Sequence, residues 1–461
     1  MADLVLVRTR NNPAPGVKKN SDSGAYSGRR MPPYGIMYIA AYCRSMGHTV
    51  KLFDLFRPEF DDLSVDEISD LMIAESPMIV GISSMTNQSV QAMELGDALM
   101  QKSETIVIHG GVHPATLPQQ ALQHGHYVVK GDGEQTMHDI LTHLKETGSM
   151  PPTRQGDVDL LNQDDISGRI YEGHLMTVEQ LDAIPWFTRE QFDETAFDFS
   201  LSPYFPVMTA RGCPYRCVFC KDGFGLRQSR VRYHSVDYVV DYFEYLQKTF
   251  NARKLIILDD IFLSSKERME EMATKMENRN VRFKIQCQVH PNVVKSQYLK
   301  LMHRLGIDWV YIGIESGNDE IQKFINKSTN VKKITKAVHM LKKNGFYTAG
   351  MFMIGNIGET QETIEDSIRF ASKLPLDRTW WSFAAPYPGT PFYEMVDEYG
   401  EILEPDFAKW NQNSLVYKPK DVSVKQMREL MGRAQRVRIA KKIRHTLIGA
   451  WEAPLRRMVN G

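Results

Sequence analysis

Arg211-Gly212-Cys213-Pro214-Tyr215-Arg216-Cys217-Val218-Phe219-Cys220 is the stretch on which the reading of this chain turns. It gathers three of the five cysteines at the spacing C-x3-C-x2-C. Three thiolates on one short loop can hold three irons of a cubane cluster and leave the fourth iron without a protein ligand. An iron left open can bind a small molecule, so the loop points to catalysis rather than to electron storage. Zinc is the competing chemistry. A closed zinc site needs a fourth ligand and usually draws on two knuckles, and the sequence has no second C-x2-C.

Working outward, the loop follows the apolar run Pro206–Thr209, the first of six short strand candidates separated by helical stretches. The others are Leu255–Leu258, Phe283–Val289, Trp309–Ile314, Thr348–Ile354 and Trp380–Ala384. Six βα units of this size predict a partial (β/α)6 barrel of the TIM type over residues 201–400, with its chemistry at the C-terminal ends of the strands. The cysteines fall just beyond the first strand, where such a site belongs.

Residues 1–147 alternate in the same way, with apolar runs at Leu4–Val7, Val50–Phe53, Met78–Ile82, Ile106–Ile108 and Tyr127–Val129. Helical spacing fills Ile36–Met46, Val65–Ala74, Val90–Met100 and Glu134–Leu144. The pattern predicts a Rossmann-like, doubly wound parallel sheet, so the whole chain is of the α/β class. Ligands of such sheets lie beyond the carboxyl ends of the strands. Three loops there carry candidate binding residues: Ser83 and Thr86, Gly110 and Gly111, and Glu134 after Gly131-Asp132-Gly133. Paired glycines let backbone approach a bulky ligand, although tight strand-to-helix turns need them equally.

Residues 148–200, rich in Asp and opened by Pro151-Pro152, read as a surface linker. Residues 401–461 read as a helical C-terminal segment with a basic end, including Arg433, Arg436, Arg438, Lys441, Lys442, Arg444, Arg456 and Arg457. Ile439, Ile443 and Leu447 give that helix an apolar stripe. It suits packing on the barrel, or a surface for an anionic lipid or an acidic electron donor.

Lys+Arg and Asp+Glu are both 56, so no global field favours nucleic acid. No apolar run approaches the ~20 residues of a membrane span. The N-terminus lacks the layout of a signal peptide. Few cysteines, three of them clustered, fit a reducing cytoplasm rather than a disulfide framework. Cys43 and Cys287 fall in apolar segments and read as core residues.

Taken together these motifs resemble the radical S-adenosylmethionine (radical SAM) superfamily, in particular the subgroup with an N-terminal cobalamin-binding-type domain. The resemblance rests on the cysteine loop together with Pro32-Pro33-Tyr34-Gly35, Gly110-Gly111 and Gly131–Glu134. In the barrel it rests on Asp259-Asp260, Gly313-Ile314-Glu315-Ser316-Gly317, Gly355-Asn356-Ile357-Gly358-Glu359-Thr360 and Pro386-Tyr387-Pro388-Gly389-Thr390-Pro391. It implies that Cys213, Cys217 and Cys220 ligate a [4Fe-4S] cluster and that S-adenosyl-L-methionine chelates the open iron. Reductive cleavage would then give methionine and a 5′-deoxyadenosyl radical that abstracts hydrogen from an unactivated C–H bond. The electron would come from a flavodoxin- or ferredoxin-like donor, and the substrate would be a small molecule.

The same resemblance implies that Phe219 lies against the adenine and that Glu315 and Ser316 face SAM. Asp259 and Asp260 would face SAM or substrate, or cap helices. Relatives commonly carry Arg at the position of His290, so either His290 holds the SAM carboxylate or another cation does, Arg253 or Lys327. Trp380, Trp381, Phe383 and Tyr387 would line a pocket or fill the barrel core. Cobalamin-dependent methylation of an unactivated carbon is the leading expectation. Cobalamin-free dehydration, cyclisation or rearrangement is the alternative, because the loop from Arg8 to Met31 has no histidine to serve as a lower cobalt ligand and is instead basic.

Overall fold

The computed structural model describes residues 2–10, 31–153, 167–173, 175–221, 231–262, 265–411 and 413–459. Most of the basic loop after Arg10 lies outside the described residues. The chain forms two compact units. The first comprises Met1–Pro203 together with Asp406–Asn411, and the second starts at Tyr204.

In the first unit the apolar runs become strands β1 (Leu4–Arg8), β2 (Val50–Asp54), β3 (Ile79–Ser83), β4 (Ile106–Gly110) and β5 (Tyr127–Lys130). Between and after them run helices α1 (Tyr34–Ser45), α2 (Val65–Ala74), α3 (Ser89–Lys102), α4 (Val112–Thr116), α5 (Pro118–Ala121) and α6 (Gly133–Thr147). Alternate residues of β1 serve opposite faces of the sheet. Leu4 and Leu6 join Ile36, Ala40, Cys43, Ile140 and Leu144 under α1 and α6. Val5 and Val7 join Ile68, Met72, Leu95 and Leu99 under α2 and α3. Burial on both faces explains why these strands are continuous Leu/Val/Ile runs.

The expected linker needs correction. Ile170–Glu172 forms β6, a sixth parallel strand beside β5, and the sheet order is β2-β1-β3-β4-β5-β6. Tyr171 is buried, and Gly173 N–H donates to the Lys130 carbonyl at 2.6 Å. Helices α7 (Val178–Asp182) and α8 (Arg189–Asp193) follow, each opened by a capping box, Thr177 with Gln180 and Thr188 with Gln191. Phe187 packs in tilted contacts against Tyr34 and Tyr38 of α1, and Asp54 accepts from the Ala196 N–H at 2.7 Å. Few long apolar runs mark this stretch, so its single aromatic anchors escaped a periodicity reading.

The second unit begins with β7 (Phe205–Val207), β8 (Ala210–Arg211) and β9 (Arg232–Tyr233), followed by α9 (Val236–Thr249), β10 (Lys254–Ile257) and α10 (Lys266–Asn278). Then come β11 (Lys284–Val289), α11 (Ser296–Arg304), β12 (Ile307–Glu315), α12 (Asp319–Phe324), α13 (Val331–Lys343), β13 (Tyr347–Ile354), α14 (Gln361–Lys373) and β14 (Arg378–Phe383). Six parallel strands pair in the chain order β7-β10-β11-β12-β13-β14, the order of an open TIM-type barrel.

Short helices α15 (Pro391–Glu394) and α16 (Val396–Tyr399) lead to an antiparallel pair, β15 (Gly400–Ile402) with β16 (Tyr417–Pro419). The long α17 (Val424–Val459) closes the chain. Arg433 pairs with Glu365, Lys441 donates to the Leu374 carbonyl, and Arg438 covers the Trp380 ring. The basic helix is thus packed on its own unit, while Ile439 and Ile443 stay exposed. The side chains of Arg444, Leu447, Arg456 and Arg457 lie outside the described residues. Among the described residues no helix is long and apolar enough to cross a membrane.

One buried histidine of the first unit makes its stability depend on pH. His109, at the end of β4, donates from Nε2 to the His124 carbonyl at 2.9 Å. Gly96 of α3 lies against that junction, where a Cβ would stand 1.9 Å from the same carbonyl oxygen. Burial pushes the imidazole pKa down from 6.5 to about 4. The unfolded chain therefore takes the proton first, and the His109 contribution, whole above pH ~6.5, is lost as pH falls toward ~4, at most about 3 kcal/mol. We expect the unfolding midpoint of His109→Gln to vary less between pH 7 and 5 than that of the parent. Parallel slopes in thermal melts over that window would refute it.

Candidate active site

The carboxyl ends of the barrel strands gather the residues that sequence reading singled out. β10 ends at Ile257, and the two acids that follow face the start of the cysteine loop. Asp259 accepts from the Thr209 N–H at 2.6 Å, from the Thr209 hydroxyl at 2.5 Å, and from the Ala210 N–H. Asp260 accepts from the Gly212 N–H at 3.0 Å. Burial pushes the Asp259 carboxyl up to about 7, and the three donors oppose that rise. Both carboxylates accept from backbone N–H groups just before Cys213 and so brace the start of the loop.

The other side of the loop rests on residues 325–328. Val218 N–H donates to the Ile325 carbonyl at 3.0 Å, and Asn326 Nδ2 to the Arg216 carbonyl at 2.8 Å. At the centre, Lys327 Nζ meets Glu315 Oε1 at 2.8 Å, both side chains nearly buried. Lys327 also stands over the Phe219 ring at 5.8 Å. Burial works against its charge, but Glu315 and the Cys217 and Cys220 sulfurs outweigh it and hold the ammonium above its ordinary pKa. Burial likewise raises the Cys217 thiol, and the nearby Lys327 opposes that rise.

The backbone here is strained. Glu315, Asn326 and Ser328 all have positive φ, at 65°, 50° and 57°. Left-handed non-glycine residues of this kind collect at ligand sites, where the surroundings hold them in place. The register between β12 and β13 also slips between Gly313 and Glu315. Gly313 leaves room for the ion pair, since a Cβ there would stand 2.8 Å from Glu315 Oε1 and 2.9 Å from Lys327 Nζ and the pair would have to shift.

His290 does not behave as a carboxylate anchor. Its Nε2 donates to the Lys327 carbonyl at 2.8 Å and its Nδ1 accepts from the Asn292 N–H at 3.2 Å. Burial, followed by the Lys327 charge, depresses its pKa to about 3, so the ring is neutral. Tyr215 stacks on it at 3.7 Å. Ser316 is also turned away from the loop, with its hydroxyl 3.1 Å from that of Ser367. Gln322 Nε2 donates to the Ile314 and Ser316 carbonyls and fixes that turn. The aromatics after Thr379 divide: Trp381 is buried against Phe352, while Trp380 lies under Arg438 of α17.

The donor set suits an iron–sulfur cluster: three cysteines on a braced loop, two partly exposed and one buried, beside a cation that favours thiolates. Among the described residues no three His, Cys, Asp or Glu side chains are gathered around a single ion. A cubane cluster makes a different demand, one thiolate for each of three separate irons.

In the first unit, the loops after β3 and β4 are knit together. Ser84 N–H donates to the Gly110 carbonyl at 3.1 Å, and His113 N–H to the Ser84 carbonyl at 3.3 Å. Gly111, at φ +93°, leaves only 2.8 Å between a would-be Cβ and the Ser84 carbonyl. The buried Ser84 hydroxyl has no hydrogen-bond partner among the described residues. Ser83 caps β3 and its carbonyl accepts from the Thr9 hydroxyl, while Thr86 is buried. Glu134 is buried at the start of α6, where its charge is felt by Cys43 and Tyr42 of α1. Sequence reading also missed the segment Asp406–Asn411, which belongs to this unit. Phe407 meets His113 edge-on at 5.2 Å, and Trp410 is 1% exposed.

Removing Asp259 strands two buried N–H groups and a hydroxyl, each worth about 1–3 kcal/mol when left unpaired. Asp259→Ala should lower iron and sulfide per chain after anaerobic reconstitution by at least half, and Asp260→Ala should do less. Full cluster loading in Asp259→Ala would show that the carboxylate does not position the loop.

Residues 207–371 match the radical SAM superfamily, and residues 22–141 match the B12 binding domain. An uncharacterized methyltransferase of Pyrococcus horikoshii is 28% identical over 87% of this chain and 86% of its own. The anaerobic magnesium-protoporphyrin IX monomethyl ester cyclase of Rubrivivax gelatinosus is 25% identical over 86% of this chain and 71% of its own. Among solved structures, the radical S-adenosylmethionine methyltransferase TsrM from Kitasatospora setae superposes with a TM-score of 0.70 at 16% identity, covering 94% of this chain and 89% of that one. The cobalamin-dependent radical enzyme OxsB gives 0.70 at 17% identity, over 94% and 66%. The chain thus carries a radical SAM domain, matched over residues 207–371, after a B12-binding domain, matched over residues 22–141.

Proposed function

We propose that the barrel unit binds a [4Fe-4S] cluster through Cys213, Cys217 and Cys220 with SAM on its open iron. The first unit would bind cobalamin along the loops that hold Ser83, Ser84, Thr86, Gly110 and Gly111. The enzyme would then methylate an unactivated carbon of a small molecule. When bound, the cluster supplies the electron that splits SAM into methionine and a 5′-deoxyadenosyl radical, and cobalamin supplies the methyl group.

The observation that carries this reading is the buried Lys327–Glu315 pair beside Cys217, Cys220 and Phe219. A buried ion pair is weak evidence for stability, and this one stands beside the thiols of the loop. An α-amino acid group offers the complementary pair of charges. Lys327 would hold the methionyl carboxylate, Glu315 would accept from the amine, and Phe219 would lie against the adenine. Lys327 thus takes the place first considered for His290. The methyltransferase names of the Pyrococcus and Kitasatospora proteins support the choice of reaction, while the cyclase shows that relatives of similar identity carry other activities.

Anaerobic reconstitution with iron, sulfide and cobalamin, followed by SAM and dithionite, tests the reading. We expect 5′-deoxyadenosine and a bound corrin. Deoxyadenosine without corrin would reject cobalamin and leave a cobalamin-free radical enzyme. No deoxyadenosine from a fully loaded cluster would reject radical chemistry. Lys327→Met, combined with Glu315→Gln to avoid stranding a buried charge, should keep the cluster spectrum and weaken SAM binding at least tenfold by equilibrium dialysis.

A further inference from the structure

We infer that the exposed face of α13 is the docking surface for an acidic, low-potential one-electron carrier protein. This rests on the cluster reading above and adds to it the place where the electron enters.

Lys332, Lys336, His339 and Lys343 follow one another at i, i+4, i+7 and i+11, and all are exposed, with Lys333 beside them. The opposite face buries Ile334, Ala337, Val338 and Leu341. The helix contains no acid. Among the described residues Lys332, Lys333, Lys336 and Lys343 make no ion pair. Of the helix's lysines only Lys342 does, with Asp377. The chain treats its cations differently on α9 and α10. There Lys275 pairs with Asp237 and Glu271, Arg279 with Asp241 and Glu244, and Arg304 of α11 with Glu277.

Position makes the first two of these lysines unfavourable for the helix. Lys332 and Lys333 sit in the first turn of α13, where the helix dipole disfavours cations. Of the two acids that precede the helix, Asp319 and Glu320, Asp319 accepts from the Val331 N–H at 2.6 Å. Lysines that weaken their own helix and pair with nothing point to a partner outside the chain.

The stripe also begins beside the cysteine loop. Residues 325–328 bond to that loop directly, and Ser328 accepts from Asn292 at 2.7 Å. Five residues of chain place Lys332 at most about 18 Å from Lys327. Lys333 is close enough for its charge to reach His290, whose ring stacks on Tyr215 between Cys213 and Cys217. A negatively charged carrier drawn to α13 therefore arrives next to the loop. The step is a single-electron transfer in which the carrier is oxidised by one electron and the cluster reduced by one, with no bond made and no proton moved. Complementary charge at such a rim mainly raises the association rate.

The test uses the reconstituted full-length protein and a flavodoxin as the carrier. Lys332→Glu/Lys333→Glu/Lys336→Glu should slow cluster reduction by flavodoxin hydroquinone at least tenfold at low ionic strength, followed by loss of the cluster's visible absorbance. It should also weaken flavodoxin binding by a similar factor. The difference should close near 1 M salt, where the screening length falls to ~3 Å. Deoxyadenosine formation driven by dithionite should stay unchanged, so a protein inactive even with dithionite counts against the cluster reading and not against docking. An unaltered flavodoxin rate and affinity in the triple variant would overturn the inference. So would loss of RNA binding with flavodoxin reduction intact, which would assign the stripe to nucleic acid.

Discussion

The contact between Lys327 and Glu315 is the constraint on which the catalytic unit depends. It links the strained end of β12 to residues 325–328, and those residues carry one side of the cysteine loop through Ile325 and Asn326. Neither charge can be buried alone without a penalty of several kcal/mol, so the strand end and the loop hold each other in place. Gly313 leaves the space for the pair, and His290 anchors the Lys327 backbone while its ring supports Tyr215. Asp259 and Asp260 complete the frame from β10. The loop is thus built from strand ends, which hold ligands more precisely than a free loop does.

In the first unit the corresponding constraint is the close approach of two strand-end loops. Ser84 bonds to both sides of Gly110-Gly111, and the glycine's positive φ permits that contact. The sheet order reverses direction between β1 and β3, the kind of switch point beside which doubly wound sheets bind ligands. Phe407 and Trp410, more than two hundred residues beyond the sheet, complete the packing around His113.

Much of this was legible in the sequence because the physics is local. Continuous Leu/Val/Ile runs identify strands buried on both faces, and helical spacing identifies their covers. The cysteine spacing needs no tertiary information to suggest a cluster. What escaped was set by pairs distant in sequence. Nothing in the neighbours of Asp259 and Asp260 reveals that Thr209 and Gly212 stand opposite them. His290 occupies a position associated with a cation, yet its two ring nitrogens are taken by Lys327 and Asn292. Ile170 and Tyr171, embedded in a polar stretch, gave no periodic signal for a sixth strand.

The sequence by itself determined the α/β class, the two alternating halves and the identity of the three thiols, because periodicity and spacing are properties of the chain alone. Only the tertiary structure decided which charges meet. Lys327, one of three cations the sequence offered, became the central cation of the site because β12 delivers Glu315 to it, and burial makes that pairing obligatory. The same folding left Lys332, Lys333, Lys336 and Lys343 of α13 without ion pairs among the described residues while pairing Lys275 of α10 with Asp237 and Glu271. Such a distinction has no trace in composition, since it depends on which helices lie side by side.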